Sequence, residues 1–349
     1  MTIQQIVDPG KIEPELLRLW DKLAKEKMRA CLFNLIVFNK LSPRTDYIRN
    51  IVQKVSEKYP CRVLFISSDP ESAHPYLKTA VSVVGNGTIA CDYIDIGVSG
   101  PEMERVPFLL LPHIIPDLPV SLLWTEDPSA PHPLFDPLLK LASRVIFDSE
   151  SADSLLAFSE TMLRLKAESG IHIADLNWAR TEGWRDLVAS LFHSGGASEI
   201  KEATLTYNSR ETESFCHLKV QSMYLLAWLA SRLQWKFTKG YPGEKLTFAF
   251  EKQEGEILSE KWEKLGSGTV ISIDLKTNDS SLYRCARDPK FYHHVCIQIA
   301  SEEKCELPYQ FMLGQTATGH SLVQEIITKG TSAHYLQMLE ELRSWDQLC

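Results

Sequence analysis

The sequence is without the short signatures that usually announce an enzyme. No GxGxxG fingerprint, GxxxxGK[ST] loop, HExxH helix or GxSxG elbow occurs in its 349 residues. The commonest dinucleotide, nucleotide, zinc-protease and serine-hydrolase devices therefore have no carrier. The eight cysteines contain no CxxC pair, which removes zinc-ribbon and thioredoxin-type arrangements. An apolar run of about eighteen residues or more, as a membrane-crossing helix needs, is also missing. The nearest, Met223–Ala230, lies between Lys219 and Arg232 and reads as a buried helix. The amino-terminal MTIQQIVDPGKIEPELLRLW is polar and of mixed charge, unlike the basic-then-apolar layout of a signal peptide. The expectation is a cytoplasmic chain with reduced thiols and no membrane partner. Basic excess is absent too. The net charge is −8, which argues against a general nucleic-acid binder.

What is present is an ordinary globular composition, 44% hydrophobic and 23% charged, in a chain long for one core. Two domains are expected, 1–170 and 171–349, with the boundary between 170 and 196. In the first half, short apolar runs alternate with helical patterns. CLFNLIVF (31–38), CRVLFISS (61–68), PVSLLWTE (119–126) and SRVIFDS (143–149) read as strands. TIACDYIDIGV (88–98) alternates and reads as an edge strand. Helices are expected from Ser42 or Pro43 to Lys58, over 101–115, over HPLFDPLLKLA (132–142) and over ADSLLAFSETMLRLKAE (152–168). Continuous apolar strands alternating with helices indicate a largely parallel sheet covered on both faces. Ligands in such sheets lie beyond the carboxyl ends of the strands. Asn39, Ser67–Asp69, Trp124–Glu126 and 148–150 should therefore share one edge.

The second half changes character. After the glycine- and serine-rich HSGGASE (193–199) comes the strand ATLTYN, then a long helix over 215–235. LTFAF, TVISIDL, SLYRCA, HVCIQIA and ELPYQFML follow with no helix between them. Consecutive strands argue for an antiparallel meander. Residues 321–345 close the chain as one or two helices, with a break at Gly330. The fold class expected is α/β: an amino-terminal, largely parallel sheet flanked by helices, plus a carboxyl-terminal α+β domain with an antiparallel sheet.

Few residues stand out chemically. Cys285, His293, His294, Cys296 and Cys305 are the densest set of potential metal ligands. Their spacing is irregular, and free cysteines are commonly just buried; no metal and no cofactor is expected. GNG (85–87) and GSG (266–268) read as turns. FDSES (147–151) places Asp148 and Ser149 where a strand ends and a helix begins. They suit helix capping, or a phosphate held at the helix start. With Asn39 and Ser67 they form a candidate ligand pocket. DLNWARTEGWRD (175–186) carries Trp178, Arg180, Trp184 and Arg185. Thr181 can cap a helix from Glu182, with Trp184, Leu187, Val188 and Leu191 as its apolar stripe and Arg185 off it. Tryptophan and arginine both fill cores and dominate binding hot spots. Lys27 and Arg29 read as a solvated basic edge.

RACLFNLIVF, ACDYIDI, PHIIPDLPVSLLW, SRVIFDS and DLNWARTEGWRDLVASLF, spread over residues 29–193, occur in an order that resembles the glucose-6-phosphate dehydrogenase assembly protein family, OpcA. PDLPVSLLW and DLNWAR…WR are the most specific pieces. The chain departs from the family where Thr125 replaces a second tryptophan. It departs again where Ala90, Cys91 and Asp92 stand in place of a cysteine pair and a glutamate. The resemblance implies a non-enzymatic effector with glucose-6-phosphate dehydrogenase as its partner, supporting NADPH production by the oxidative pentose phosphate pathway. Trp124, Glu126, Trp178, Arg180, Trp184 and Arg185 are the candidate contacts. The alternative is an enzyme or sensor binding a sugar phosphate or nucleotide at the carboxyl edge of the first sheet, around Asn39, Ser67 and Ser149.

Overall fold

A computed structural model describes residues 4–23, 26–86, 88–192, 196–213, 217–301, 307–314 and 319–345. The chain forms two compact units. The first takes residues 1–148, 169–176 and 317–330, and the second takes 149–168, 177–316 and 331–349.

The first unit is built on a nine-stranded sheet: β1 (Gln5–Val7), β2 (Met28–Arg29), β3 (Asn34–Lys40), β4 (Arg62–Ser68), β5 (Tyr76–Val84), β6 (Ile89–Ser99), β7 (Val120–Trp124), β8 (Arg144–Phe147) and β9 (His172–Asp175). Its path is β1-β5-β6-β4-β3-β7-β8-β9, with β2 paired to β6. From β6 to β9 every neighbour is parallel. The six strands therefore run in the doubly wound order of two mononucleotide-binding halves, with the reversal of direction between β3 and β7. β3, β4, β7 and β8 are continuous apolar runs because both faces are covered: Leu35–Phe38, Val63–Ile66, Leu122–Trp124 and Val145–Phe147 are all buried. The helix Thr45–Lys58 packs Ile48, Ile51, Val52 and Val55 against one face. The helix His320–Ile327 adds Leu322 and Val323 to the same core.

Two expectations fail here. β6 is an interior strand, since the antiparallel β5 covers its outer side. Its apparent alternation comes from Asp92 and Asp95, whose charges are satisfied inside the unit. Residues 101–115 do not form one helix. Pro101, Pro107 and Pro112 break the segment into short turns of helix over Gly100–Arg105, Val106–Leu110 and Leu111–His113.

The second unit holds an eight-stranded sheet of β10 (Ile200–Asn208), β11 (Phe237–Tyr241), β12 (Leu246–Phe250), β13 (Glu254–Glu260), β14 (Val270–Thr277), β15 (Leu282–Arg287), β16 (His294–Ala300) and β17 (Tyr309–Met312), ordered β11-β12-β13-β10-β14-β15-β16-β17. β14 to β17 form the expected meander. β10 and β13 run parallel, however. The helix Val220–Leu233 carries the chain across between them, so this half contains one βαβ-type crossover. Position 215, the expected helix start, lies outside the described residues. The closing segment is two helices, His320–Ile327 and Ala333–Arg343, separated at Gly330 (φ +75°).

Candidate functional site

The carboxyl edge of the first sheet is where a doubly wound fold holds its ligand, so its side chains come first. The strand register puts Asn39 opposite Ser67, and Phe38 opposite Trp124, which in turn faces Phe147. Phe38 stacks on Trp124 with centroids 4.2 Å apart, and His132 and Phe135 close against the indole at 5.3 and 4.9 Å. The Asn39 amide donates to Lys40 O and Thr45 Oγ1, both at 2.8 Å, and its Oδ1 accepts from Thr125 Oγ1 at 3.3 Å. Glu126 Oε1 accepts the backbone N–H of Lys40 at 2.8 Å. Arg44, at the start of the helix that follows β3, donates to Asp148 Oδ2 at 2.5 Å, and both are buried. Ser67 Oγ accepts from Arg49, whose guanidinium also binds Asp95 at 2.5 Å and covers the Phe65 ring.

The expected clustering of Asn39, Ser67, Trp124, Glu126 and Asp148 at one sheet edge is therefore met within the first unit. At the switch point the protein's own polar groups bind one another. In a dinucleotide fold the turn after the first strand is glycine-rich, so that backbone amides approach a pyrophosphate at the helix start. Here that turn is Leu41-Ser42-Pro43-Arg44. An arginine–aspartate pair sits at the helix start, and a carboxylate takes the amide of Lys40, the last residue of β3. His132 is part of this packing, and burial, together with the charge of Lys40, holds its pKa below the ordinary value.

The remaining candidates lie in the second unit. Trp178 and Trp184 are buried, 7% and 2% exposed. Arg185, expected off the apolar stripe, is buried as well. Its guanidinium lies 3.5 Å from the Trp178 ring centroid, and NH1 donates to Trp178 O and Thr181 Oγ1, each at 2.6 Å. Thr181 does not cap the helix Glu182–Leu191 through its side chain; its hydroxyl donates to Asn177 O and Trp178 O. Arg180 bridges Glu150 at 2.8 Å and Asn177 Oδ1 at 2.9 Å. Ser149 Oγ accepts from Asn177 Nδ2. The Arg287 guanidinium lies over Trp184 at 5.3 Å.

Sequence reading overlooked the other polar centre of the first unit, at the amino-terminal ends of β4 and β6. Asp92 accepts from Trp20 Nε1 at 2.7 Å, Arg29 NH2 at 2.6 Å, and Arg62 Nε and NH2 at 2.9 and 2.6 Å. Arg29 is exposed, as a solvated edge would be, and is also an ion-pair member. Arg62 also reaches Glu13, which meets His113 Nδ1 at 2.9 Å. Burial alone would raise the Asp92 pKa, but Arg29, Arg62 and the Trp20 N–H outweigh it and hold the carboxyl below its usual range. The signal that could reveal this centre is two charges, Arg62 and Asp92, inside otherwise apolar strand runs. Among the described residues no group of three His, Cys, Asp or Glu could hold a metal ion, and Cys305 lies outside them. Burial pushes the Cys285 thiol up to about 12.

A doubly wound sheet in one unit and a large mixed sheet in the other define the class as a two-unit α/β fold whose first-sheet switch point carries polar side chains bonded to one another. An aldose-aldose oxidoreductase from Caulobacter crescentus, solved with glycerol, matches 89% of this chain and 96% of its own, with a TM-score of 0.50 and 11% identity. A protein provisionally called an oxidoreductase from Erwinia carotovora gives 0.51 at 9% identity. At such identities the likeness concerns the fold alone. Family models described as the glucose-6-phosphate dehydrogenase subunit N-terminal and C-terminal domains match residues 52–164 and 171–346. The chain belongs to this family, the OpcA proteins. It is 27% identical over 212 residues to a protein provisionally named OxPP cycle protein OpcA from Nostoc punctiforme, and 27% identical over 199 residues to its counterpart from Synechocystis. The matches cover 57% and 53% of this chain but 42% and 39% of those relatives. No helix among the described residues is long and apolar enough to cross a membrane.

Proposed function

We propose that this chain is a non-catalytic effector that binds glucose-6-phosphate dehydrogenase in the cytoplasm and favours its active oligomer, so supporting NADPH production by the oxidative pentose phosphate pathway. Family membership supplies the partner. The observation that carries the non-catalytic part is Glu126 on the Lys40 amide beside the Arg44–Asp148 pair. A nucleotide phosphate at the switch point would have to displace Glu126 from the Lys40 amide and compete with Asp148 for Arg44. The same contacts weigh against a sugar-phosphate or nucleotide enzyme at that edge.

An effector shifts an oligomer only by its differential affinity for the two states. The contact candidates divide by exposure. Trp124, Trp178, Trp184 and Arg185 are buried and hold surface segments in shape from beneath. Glu126 and Arg180 are partly accessible and can meet a partner directly. The test is to mix the protein with the dehydrogenase of the same organism and record complex mass by light scattering alongside the dehydrogenase rate. A larger complex with a raised rate is expected. Two folded proteins giving no complex and no rate change would reject the reading.

A further inference from the structure

The second unit contains a polar site that the effector reading does not use. β10 and β13 are parallel, and the helix between them, Val220–Leu233, starts beyond the carboxyl end of β10 at Asn208. In a parallel crossover this is the position where the helix start and its free amides collect negative ligands. Lys219 is the N-cap residue of this helix, and its side chain makes no capping hydrogen bond. The first-turn N–H groups of Val220, Gln221 and Ser222 have no acceptor within the helix.

A second element closes on the same place. Asn208, fully buried, donates to Trp262 O, Leu265 O and Gly266 O at 2.9, 2.8 and 3.2 Å, and so fixes the turn Gly266-Ser267-Gly268. Gly268 has φ +70°, and a Cβ there would come within 3.0 Å of Leu218 O. The turn is therefore pressed onto the chain that leads into the helix. Ser222 stands four residues after Leu218, so its side chain leans back over that same residue. Around this point Ser267 Oγ and Ser222 Oγ are buried with no hydrogen-bond partner, and the His217 imidazole has a hydrogen bond only with its own backbone. Ser267 and Ser222 are 4% and 0% exposed. Such atoms seldom stay unmatched in folded proteins.

We propose that the start of the helix Val220–Leu233 and the Gly266–Gly268 turn form a binding site for a small oxyanion of the phosphate type, taken up by Ser222, Ser267, His217, the helix amides and Lys219. The electrostatics agree. Burial, then the charge of Lys219, lowers the His217 pKa to about 4, and no carboxylate figures among its influences. His217, Leu218 and Lys219 are half-buried, which leaves an approach from solvent. The ligand is either free phosphate or the phosphoryl group of a phosphomonoester; both present the same oxygens.

The test is amide hydrogen exchange on the full chain with inorganic phosphate up to about 20 mM, well above a millimolar Kd. Slower exchange confined to residues 217–222 and 266–269 is expected. Lys219→Gln and Ser267→Ala should each weaken the half-saturation point by about tenfold, the usual scale for one charge-assisted contact. A parallel series with methyl phosphate assigns the source: tighter than phosphate indicates an ester, weaker indicates the free ion. Unchanged exchange at these segments would mean that water serves these polar atoms, and the proposal would fail. Equal half-saturation in wild type and both folded variants would overturn it too. Neither result depends on the dehydrogenase.

Discussion

Arg62, one residue before the first β4–β6 pair of Val63 with Tyr93, grips Asp92 through Nε at 2.9 Å and NH2 at 2.6 Å with both side chains buried. Removing one member of such a pair strands the other charge away from water. Asp92→Ala should therefore destabilise the protein by about 3–5 kcal/mol. The double change Arg62→Met/Asp92→Leu should cost less than the sum of its parts. Urea unfolding of the four proteins measures this, and additive losses would mean that the two side chains act independently.

The same pair sets a pH dependence. The Asp92 carboxyl is held below its ordinary pKa, so the folded state binds that proton less readily than the unfolded chain. Its stabilisation is present above the unfolded value near 4 and is lost as pH falls through the folded value. The wild-type midpoint should drop on acidification in that window. Asp92→Asn should flatten this part of the profile, whatever its stability at pH 7.

His132 works in a higher window. Its pKa is lowered by burial and by Lys40, so protonation favours the unfolded chain. Its contribution is full above the unfolded value of about 6.5 and declines as pH falls below it. Thermal melts at pH 7.5 and 5.5 should differ more for wild type than for His132→Gln. An equal difference would show that another group carries the dependence.

How far such features can be read from sequence depends on their range. β3, β4, β7 and β8 are legible because strands buried on both faces must be apolar throughout. β5, YLKTAVSVV, and β13, EGEILSE, are not. Lys78, Ser82 and the glutamates interrupt their pattern, and only their neighbours make them strands. The parallel pairing of β10 with β13 has no local signal at all. Trp178 and Arg185 lie seven residues apart, two helical turns, so their stacking could have been foreseen, although the intervening Thr181 suggested only a cap. Arg62 and Asp92 are thirty residues apart and meet through strand register alone. The Glu126 contact depends on the β3–β7 adjacency, which sequence order conceals.

Stacking of Arg185 on Trp178 separates a core role from a binding role. The guanidinium lies 3.5 Å from the ring centroid in a buried setting, where such contacts are worth about 1–2 kcal/mol. A double-mutant cycle of Arg185→Met and Trp178→Leu should recover a coupling of that size in stability. Trp184→Ala should cost about 3–5 kcal/mol through the cavity it leaves. A folded Trp184→Ala protein with unchanged stability and weakened dehydrogenase binding would return this tryptophan to the contact surface.

Glu126 gives the sharpest test of the switch-point reading, because its partner is a backbone amide and its own side chain is partly accessible. Glu126→Ala frees the Lys40 N–H but leaves the Phe38–Trp124 stack and the Arg44–Asp148 pair in place. A partly exposed hydrogen bond to a charged group contributes about 1–2 kcal/mol, so the fold should survive with a modest fall in midpoint. If the carboxylate also meets the dehydrogenase, Glu126→Arg should weaken the complex about tenfold beyond Glu126→Ala at low salt, with the gap narrowing as salt rises. Equal binding by both variants would confine Glu126 to closing its own sheet edge. Wild type should give no melting shift with NADP, since Glu126 already holds the Lys40 amide and Arg44 is already engaged by Asp148. A saturable shift with wild type would show that the switch point still admits a nucleotide, and the non-catalytic reading would have to be abandoned.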